Sequence, residues 1–155
     1  EEIEHIRDQL LHPPVAMDVI GHQKVITFGP DDDVNVALRA IRDTGISQFP
    51  IYEGKQFMGM LTTNTIARWL ASEINDDDTL THKGIRHVLT FNERKDQAVF
   101  LPREASATEV IAALTSPAKH HTLPRLVIIT EHGHNNQQPL CVITPSNLPA
   151  LFDAL

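Results

Sequence analysis

The chain has 155 residues, of which 41% are hydrophobic and 21% are charged, a composition typical of a soluble globular protein of one domain or two small repeats. Its formal net charge of −7 argues against a protein that binds duplex nucleic acid, because such proteins normally carry a basic stripe. No apolar run approaches the roughly 20 residues of a membrane-spanning helix, and the acidic start lacks the apolar core of a signal peptide, so we expect a cytoplasmic protein.

Apolar periodicity predicts the elements of the first half in chain order. A helical stripe over residues 1–11 predicts a short N-terminal helix, which a proline pair ends, so that this segment occupies residues 1–14. A β-branched run at residues 24–28 predicts a strand. One of the aspartates at 31–33 is expected to cap the next helix, and Gly45 is expected to end it.

A hairpin and a second helix complete this half. Residues 46–52 predict a strand in which Pro50 favours an edge or irregular position. The strand after the hairpin leads to Thr62, a good N-cap for the following helix, so the order is β-α-β-β-α. The polar, acidic residues 73–84 then predict a solvated linker.

The second half repeats the same order. Strands predicted at 98–101 and 123–130 flank a helical stripe, and a closing strand leads to Thr144, which caps the last helix with Pro145 at its first position. Thr144 follows Thr62 by 82 residues, so periodicity alone predicts an α/β duplication.

Short motifs occur in matching order in the two halves. They are, in the first half, Pro30-Asp31, Gly45, Phe49-Pro50-Ile51 and Gly59-Met60-Leu61-Thr62, and in the second, Thr144-Pro145-Ser146-Asn147. Over residues 15–155 this set resembles the tandem cystathionine-β-synthase (CBS) domain pair, also called the Bateman module. Two positions depart from the family pattern, because Thr65 stands where the family has an acidic or amide residue and Cys141 replaces a glycine.

The resemblance implies a fold and a regulatory role. The fold would be of the α/β (α+β) class, with β-α-β-β-α repeats at residues 15–72 and 85–155 packed about a pseudo-twofold axis. Such pairs are generally not enzymes and need no cofactor. They commonly bind an adenosine-containing regulatory ligand (AMP, ADP, ATP, S-adenosylmethionine or cyclic di-AMP) in a cleft between the repeats. We therefore expect a sensor that signals to a partner protein or fused domain. The helices carrying Trp69 and Phe152 are expected to form a homodimer interface, with burial of these two residues within the monomer as the alternative.

The resemblance also implies which residues contact the ligand. In the second copy they are Thr144, Pro145, Ser146 and Asn147. The Asp or Asn at the last of these positions commonly binds the ribose hydroxyls in the family, and an amide can both donate and accept hydrogen bonds. Thr144 could equally be a helix cap alone. The first-copy pair is Thr62 and Thr65, and because a threonine cannot span a vicinal diol, we expect the second copy to be the better site.

The resemblance further implies ligand contacts at the starts of strands and of the second repeat. Cationic phosphate contacts are expected beside the central strand of the second copy and at the mouth of the first strand, from His120, His121, Arg125, His22 and Lys24. Backbone contacts to adenine are expected at the start of the second repeat, at His87 and Val88. Each residue taken alone could equally belong to a solvated loop.

Other chemistries find little support in the sequence. Histidines at 120–121, His132 and His134 invite a metal site, but there is no cysteine pair and no His-Glu-x-x-His motif, so we predict none. Cys141 lies in an apolar run, where a small buried hydrophobe is expected rather than a nucleophile. The alternative function is a structural dimerisation module with degenerate, ligand-free clefts, which the departures at Thr65 and Cys141 favour.

Overall fold

The structure is a computed structural model that describes residues 13–21, 23–74, 83–92, 98–116 and 126–155. The predicted helix at residues 1–11 and most of the predicted linker fall outside these ranges. Within them the chain forms the mixed fold of helices and strands that the sequence predicts.

The helices of the described residues are α1 (Ala16–Ile20), α2 (Val34–Thr44), α3 (Thr63–Ile74), α4 (Ile85–Val88), α5 (Ala107–Thr115) and α6 (Leu148–Asp153). The strands are β1 (Gln48–Glu53), β2 (Gln56–Thr62), β3 (Ala98–Pro102), β4 (Leu126–Thr130) and β5 (Cys141–Ile143). Single turns of 3-10 helix follow α4 at Leu89–Phe91 and precede α6 at Pro145–Asn147. None of the described helices is long and apolar enough to cross a membrane.

The chain divides into two compact units that cross the boundaries of the predicted repeats. Unit 1 comprises residues 1–25 and 98–155, and unit 2 comprises residues 26–97. The helix α1, from the start of the first repeat, therefore packs with β3, β4, β5, α5 and α6. The helix α4, from the start of the second repeat, packs with the elements of unit 2. Each unit thus contains the opening helix of one repeat and the body of the other.

The same pair of backbone hydrogen bonds attaches the opening helix in each unit. In unit 1, Ala107 N–H donates to Pro14 O at 2.7 Å and Ala16 N–H donates to Ala105 O at 2.9 Å. In unit 2, Val34 N–H donates to Lys83 O at 2.7 Å and Ile85 N–H donates to Asp32 O at 2.9 Å. The N–H groups of Ala107 and Val34 open α5 and α2, where no carbonyl of the same helix can accept them. The duplication in the sequence is therefore also a duplication of contacts.

Local sequence signals account for the body of unit 2. Asp33 caps α2 by accepting the N–H of Asn35 at 2.9 Å, and Gly45 ends it with a φ of 74°, as predicted. The strands β1 and β2 form an antiparallel hairpin with a bulge after Ile51. Gly59, opposite Ile51, has a φ of 147°, a conformation that residues with a side chain rarely adopt.

The predicted strand at residues 24–28 is wrong, because only Phe28 pairs. Phe28 N–H donates to Pro50 O at 3.4 Å and Phe28 O accepts Tyr52 N–H at 3.0 Å. Extending this parallel pairing toward residue 26 would require an N–H group at residue 50, which proline lacks. The residue of unit 1 that is equivalent to Pro50 is Ile128. There β3 pairs with β4 from Ala98 to Pro102.

Unit 1 contains a three-stranded sheet in the order β3-β4-β5, with β3 parallel and β5 antiparallel to β4. The helix α5 begins with a capping box in which Ser106 and Glu109 bond each other's backbone N–H groups. The sheet, α1, α5 and α6 enclose one core, which includes the fully buried residues Ala16, Ile129 and Leu151.

The exchange of helices predicts where a core substitution will act. Ile85 is fully buried among residues of unit 2, so Ile85→Ala should lower the free energy of unfolding by about 2–5 kcal/mol. Ile46 is 38% exposed, and the matched Ile46→Ala should change it by no more than about 0.5 kcal/mol. Urea denaturation measures both. Equal effects of the two substitutions would show that α4 does not belong to this core.

Candidate functional site

The turn from Thr144 to Asn147, called the 144–147 turn below, is closed by its own side chains. The Thr144 hydroxyl accepts the N–H of Ser146 at 3.3 Å, and Asn147 Oδ1 accepts the N–H of Thr144 at 2.9 Å. The hydroxyls of Thr144 and Ser146 are 2.5 Å apart and hydrogen-bonded. Thr144 therefore caps the turn as predicted, and Asn147 has a structural role that the sequence reasoning did not assign to it.

The Asn147 amide is fixed at one end and available at the other. Its oxygen is held by Thr144 N–H, while no hydrogen bond from its Nδ2 is formed within the part of the chain that the structure describes. The carbonyl oxygen has a second lone pair, so this side chain can still donate and accept. Asn147 is half-buried. A hydroxyl-bearing ligand could therefore meet an amide that is already oriented.

The segment before unit 2 is attached beside this turn. Gln23 Oε1 accepts Val142 N–H at 2.7 Å, and Gln23 Nε2 donates to Val142 O at 3.1 Å. The Gln23 amide thus pairs with the outer edge of β5 as a neighbouring strand would, and Val142 lies two residues before Thr144. Lys24, the next residue, is exposed. Lys24 therefore places a positive charge next to Gln23 in the sequence.

The equivalent turn of the first copy is closed differently. Thr62 Oγ1 accepts Thr65 N–H at 3.2 Å, which confirms Thr62 as the N-cap of α3. Thr65 Oγ1 donates to Asn92 Oδ1 at 2.5 Å, and Asn92 Nδ2 donates to Met60 O at 3.0 Å. Thr65 is completely buried, so its side chain is not available to a ligand in this conformation. Its expected role as a ligand residue is therefore not supported by its position.

The remaining predicted contacts fall into two groups. Those outside the described residues are His22, His120, His121 and Arg125. At the start of the second repeat, the side chain of Val88 is fully buried, and the N–H groups of His87 and Val88 both donate to Gly84 O at 3.1 Å. His87 lies 3.8 Å from Glu73, measured from Nε2 to Oε1, and its ring meets Phe91 edge-on. Backbone donors here are therefore used within unit 2.

Sequence reasoning did not predict the contacts of two amide side chains, Gln23 and Asn92, which belong to no local motif. Aligning the two halves at Ala16 and Ile85 places Gln23 and Asn92 at the same position. In the structure each bonds a residue two positions before the capping threonine.

Within the described ranges, no group of three His, Cys, Asp or Glu side chains could hold a metal ion. Trp69 is buried in unit 2, whereas Phe152 is 53% exposed. The homodimer expected through these two helices remains a prediction.

Cys141 has the properties of a core residue. It is fully buried, and burial raises the pKa of its thiol to about 11. At pH 8 roughly one native thiol in a thousand is then ionised, against about a quarter in an unfolded chain with the ordinary pKa.

Cys141 should therefore react slowly in the native protein. Because the thiolate is the reacting form and the residue is buried, we expect Ellman's reagent to modify the native chain at least about 100-fold more slowly at pH 8 than the chain in urea. With one cysteine in the sequence, the absorbance reports this residue alone. Similar rates in both states would contradict a buried structural thiol.

Comparisons with known proteins give a family match for the first part of the chain and a fold for the whole. The sequence model of the CBS domain matches residues 16–72, and no curated protein matches the chain in sequence. A CBS domain-containing protein of unknown function from Kribbella flavida is similar in structure, with a TM-score of 0.64, 16% identity and coverage of 90% of this chain and 99% of that one. The CBS-domain containing protein ATU1752 from Agrobacterium tumefaciens gives a TM-score of 0.57 at 15% identity, covering 89% and 88%.

A third structure carries ligands. The CBS domain pair of protein MJ0100, in complex with 5-methylthioadenosine and S-adenosyl-L-methionine, gives a TM-score of 0.63 at 16% identity, covering 91% of this chain and 97% of that one. At such identities the likeness shows the fold. The first repeat therefore belongs to the CBS domain family, and the chain as a whole has the fold of a tandem CBS domain pair.

Proposed function

We propose that the chain is a regulatory module that binds an adenosine-containing small molecule at the 144–147 turn and signals its occupancy to a partner protein or fused domain. The observation that carries the proposal is the Asn147 amide, oriented by Thr144 N–H and with its Nδ2 hydrogens unused among the described residues. The fold neighbour MJ0100, solved with two adenosine-containing molecules, supports the ligand class.

The chemistry of the turn suits a ribose diol. One hydroxyl can accept a hydrogen bond from Asn147 Nδ2, and the other can donate to the second lone pair of Oδ1. Because the amide is already held by the backbone, less side-chain entropy is lost on binding than for a free asparagine. Ser146 is exposed, which leaves this side of the turn accessible to a ligand.

Phosphate recognition would have to come from side chains. The first N–H groups after Thr144 are already used, since Ser146 N–H bonds Thr144 Oγ1, Asn147 N–H bonds Thr144 O, and Leu148 N–H bonds Pro145 O. Lys24 is an exposed candidate cation, and His120, His121 and Arg125 are the predicted ones outside the described residues. Comparing ligands with and without phosphate therefore probes this part of the proposal.

Signalling would work by a shift of populations. A ligand that binds one conformation of the 144–147 turn more tightly favours that conformation by the difference in binding free energy. A partner that contacts α6, which follows the turn directly, would then experience a different surface. A second copy of the chain, in the homodimer expected from the family, is one such partner.

Thermal denaturation with a panel of ligands tests the proposal. AMP, ATP, S-adenosylmethionine, methylthioadenosine and cyclic di-AMP are each added to the full chain. A ligand present at 100 times its Kd should stabilise the protein by about 2.7 kcal/mol and raise the Tm. If no ligand changes the Tm, a structural dimerisation module becomes the better interpretation.

Substitutions of Asn147 locate the site. Asn147→Ala removes both ends of the amide, and we expect it to abolish the Tm shift. Asn147→Asp keeps an acceptor for Thr144 N–H and one for a ribose hydroxyl, so it should retain most of the shift. Asn35→Ala, at an exposed residue of α2, is the matched control and should leave the shift unchanged. Full binding by Asn147→Ala would contradict a site at this turn.

A further inference from the structure

We propose that Asn92 blocks the turn from Thr62 to Thr65, called the first-copy turn below. The chain would then bind its adenosine-containing ligand at the 144–147 turn alone. This inference rests on the proposed function, because it decides between the two sites that the duplicated sequence offers. Asn92 would then determine which of the two turns binds the ligand, because its side chain takes the place of a ligand within unit 2.

The hydrogen bonds of the first-copy turn form one directed chain. Asn92 Oδ1 can only accept, so Thr65 Oγ1 donates its hydrogen to it at 2.5 Å. The hydroxyls of Thr62 and Thr65 are 3.1 Å apart, and since the hydrogen of Thr65 is used, Thr62 must donate to Thr65. Asn92 Nδ2 continues the chain to Met60 O at 3.0 Å. Neither threonine hydroxyl keeps a hydrogen for a ligand.

In unit 1 the position equivalent to Thr65 is left open. At the spacing of Thr62 and Thr144, Met60 corresponds to Val142 and Thr65 corresponds to Asn147. Gln23 bonds both the N–H and the carbonyl of Val142 and makes no hydrogen bond to Asn147 within the described residues. Asn92 instead spans from the carbonyl of Met60 to Thr65, the last residue of the turn. The Gln23 amide thus attaches a segment in unit 1, whereas the equivalent Asn92 amide closes a site in unit 2.

The segment that carries Asn92 is held in place. Arg68 Nε donates to Phe91 O at 2.8 Å, and Asn92 N–H donates to Leu89 O at 3.1 Å. Thr65 is completely buried. A ligand at this turn would have to displace a buried, hydrogen-bonded side chain on an anchored segment, and the 144–147 turn imposes no such requirement.

Nitrogen-15 spectra of the side-chain amides of the full chain test the closure directly. On titration with S-adenosylmethionine, the Asn147 signals should move and the Asn92 signals should not. Without ligand, the Nδ2 hydrogens of Asn92 should exchange with water at least about tenfold more slowly than those of exposed Asn35. Movement of the Asn92 signals, or exchange as fast as that of Asn35, would overturn the proposal. If no signal moves with any ligand of the panel, the proposed function has failed, and the exchange rate still decides whether Asn92 closes the turn.

Stoichiometry by titration calorimetry provides a second test. The native chain should bind one molecule of S-adenosylmethionine or methylthioadenosine. Combining Asn92→Ala with Thr65→Asn removes the block and gives the first copy the Thr-x-x-Asn pattern of the second, so two molecules should bind. Asn35→Ala combined with Thr65→Asn is the control, in which Asn92 remains and one molecule should bind. Two molecules on the native chain, or one on a folded double variant, would overturn the role of Asn92. If the double variant does not fold, the amide spectra decide.

Discussion

The fold depends on a pair of backbone hydrogen bonds that joins the start of one repeat to the start of α2 or α5 in the other. Each bond contributes only about 0.5–1.5 kcal/mol, but it satisfies an N–H group at a helix start that has no other backbone partner within its helix. The bonds also place Ala16 and Ile85 in the cores, where both are completely buried. Hydrophobic burial supplies most of the free energy, and the hydrogen bonds determine which segment is buried. As a result, neither compact unit is built from one repeat alone.

Within this duplicated framework, single residues make the two copies unequal. Pro50 ends a parallel pairing that Ile128 allows to continue, so that one unit has a three-stranded sheet and the other a hairpin with a single bridge. Gly59 adopts a positive φ beside a bulge, whereas its counterpart Cys141 lies in a regular strand. The copies have thus diverged in the sheet as well as at their capping turns. A duplicated fold can specialise one copy for binding while the other keeps a purely structural role.

The sequence predicted the features that depend on near neighbours. The caps at Asp33 and Thr62 and the helix end at Gly45 each involve groups within a few residues, so a local pattern is sufficient to find them. The strand at residues 24–28 was predicted wrongly because its pairing depends on a proline in another strand. The partners of Gln23 and Asn92 lie 119 and 32 residues away, and no local signal marks a side chain that will pair with a distant backbone. The bond from Thr144 N–H to Asn147 was not predicted, because it appears only once the turn geometry is known, and the role of Asn147 in ligand binding stays a prediction.

The discontinuity of unit 1 has a consequence for synthesis on the ribosome. A chain emerges from its N-terminus at about 5–20 residues per second, and domains tend to fold as they become complete. Unit 2 is continuous, so every segment it needs has been made once residue 97 has emerged. The helix α1 precedes unit 2 in the chain, whereas its core partners in β4, β5 and α6 follow unit 2. The apolar side of α1 therefore lacks its native core partners until the segments after unit 2 have been synthesised.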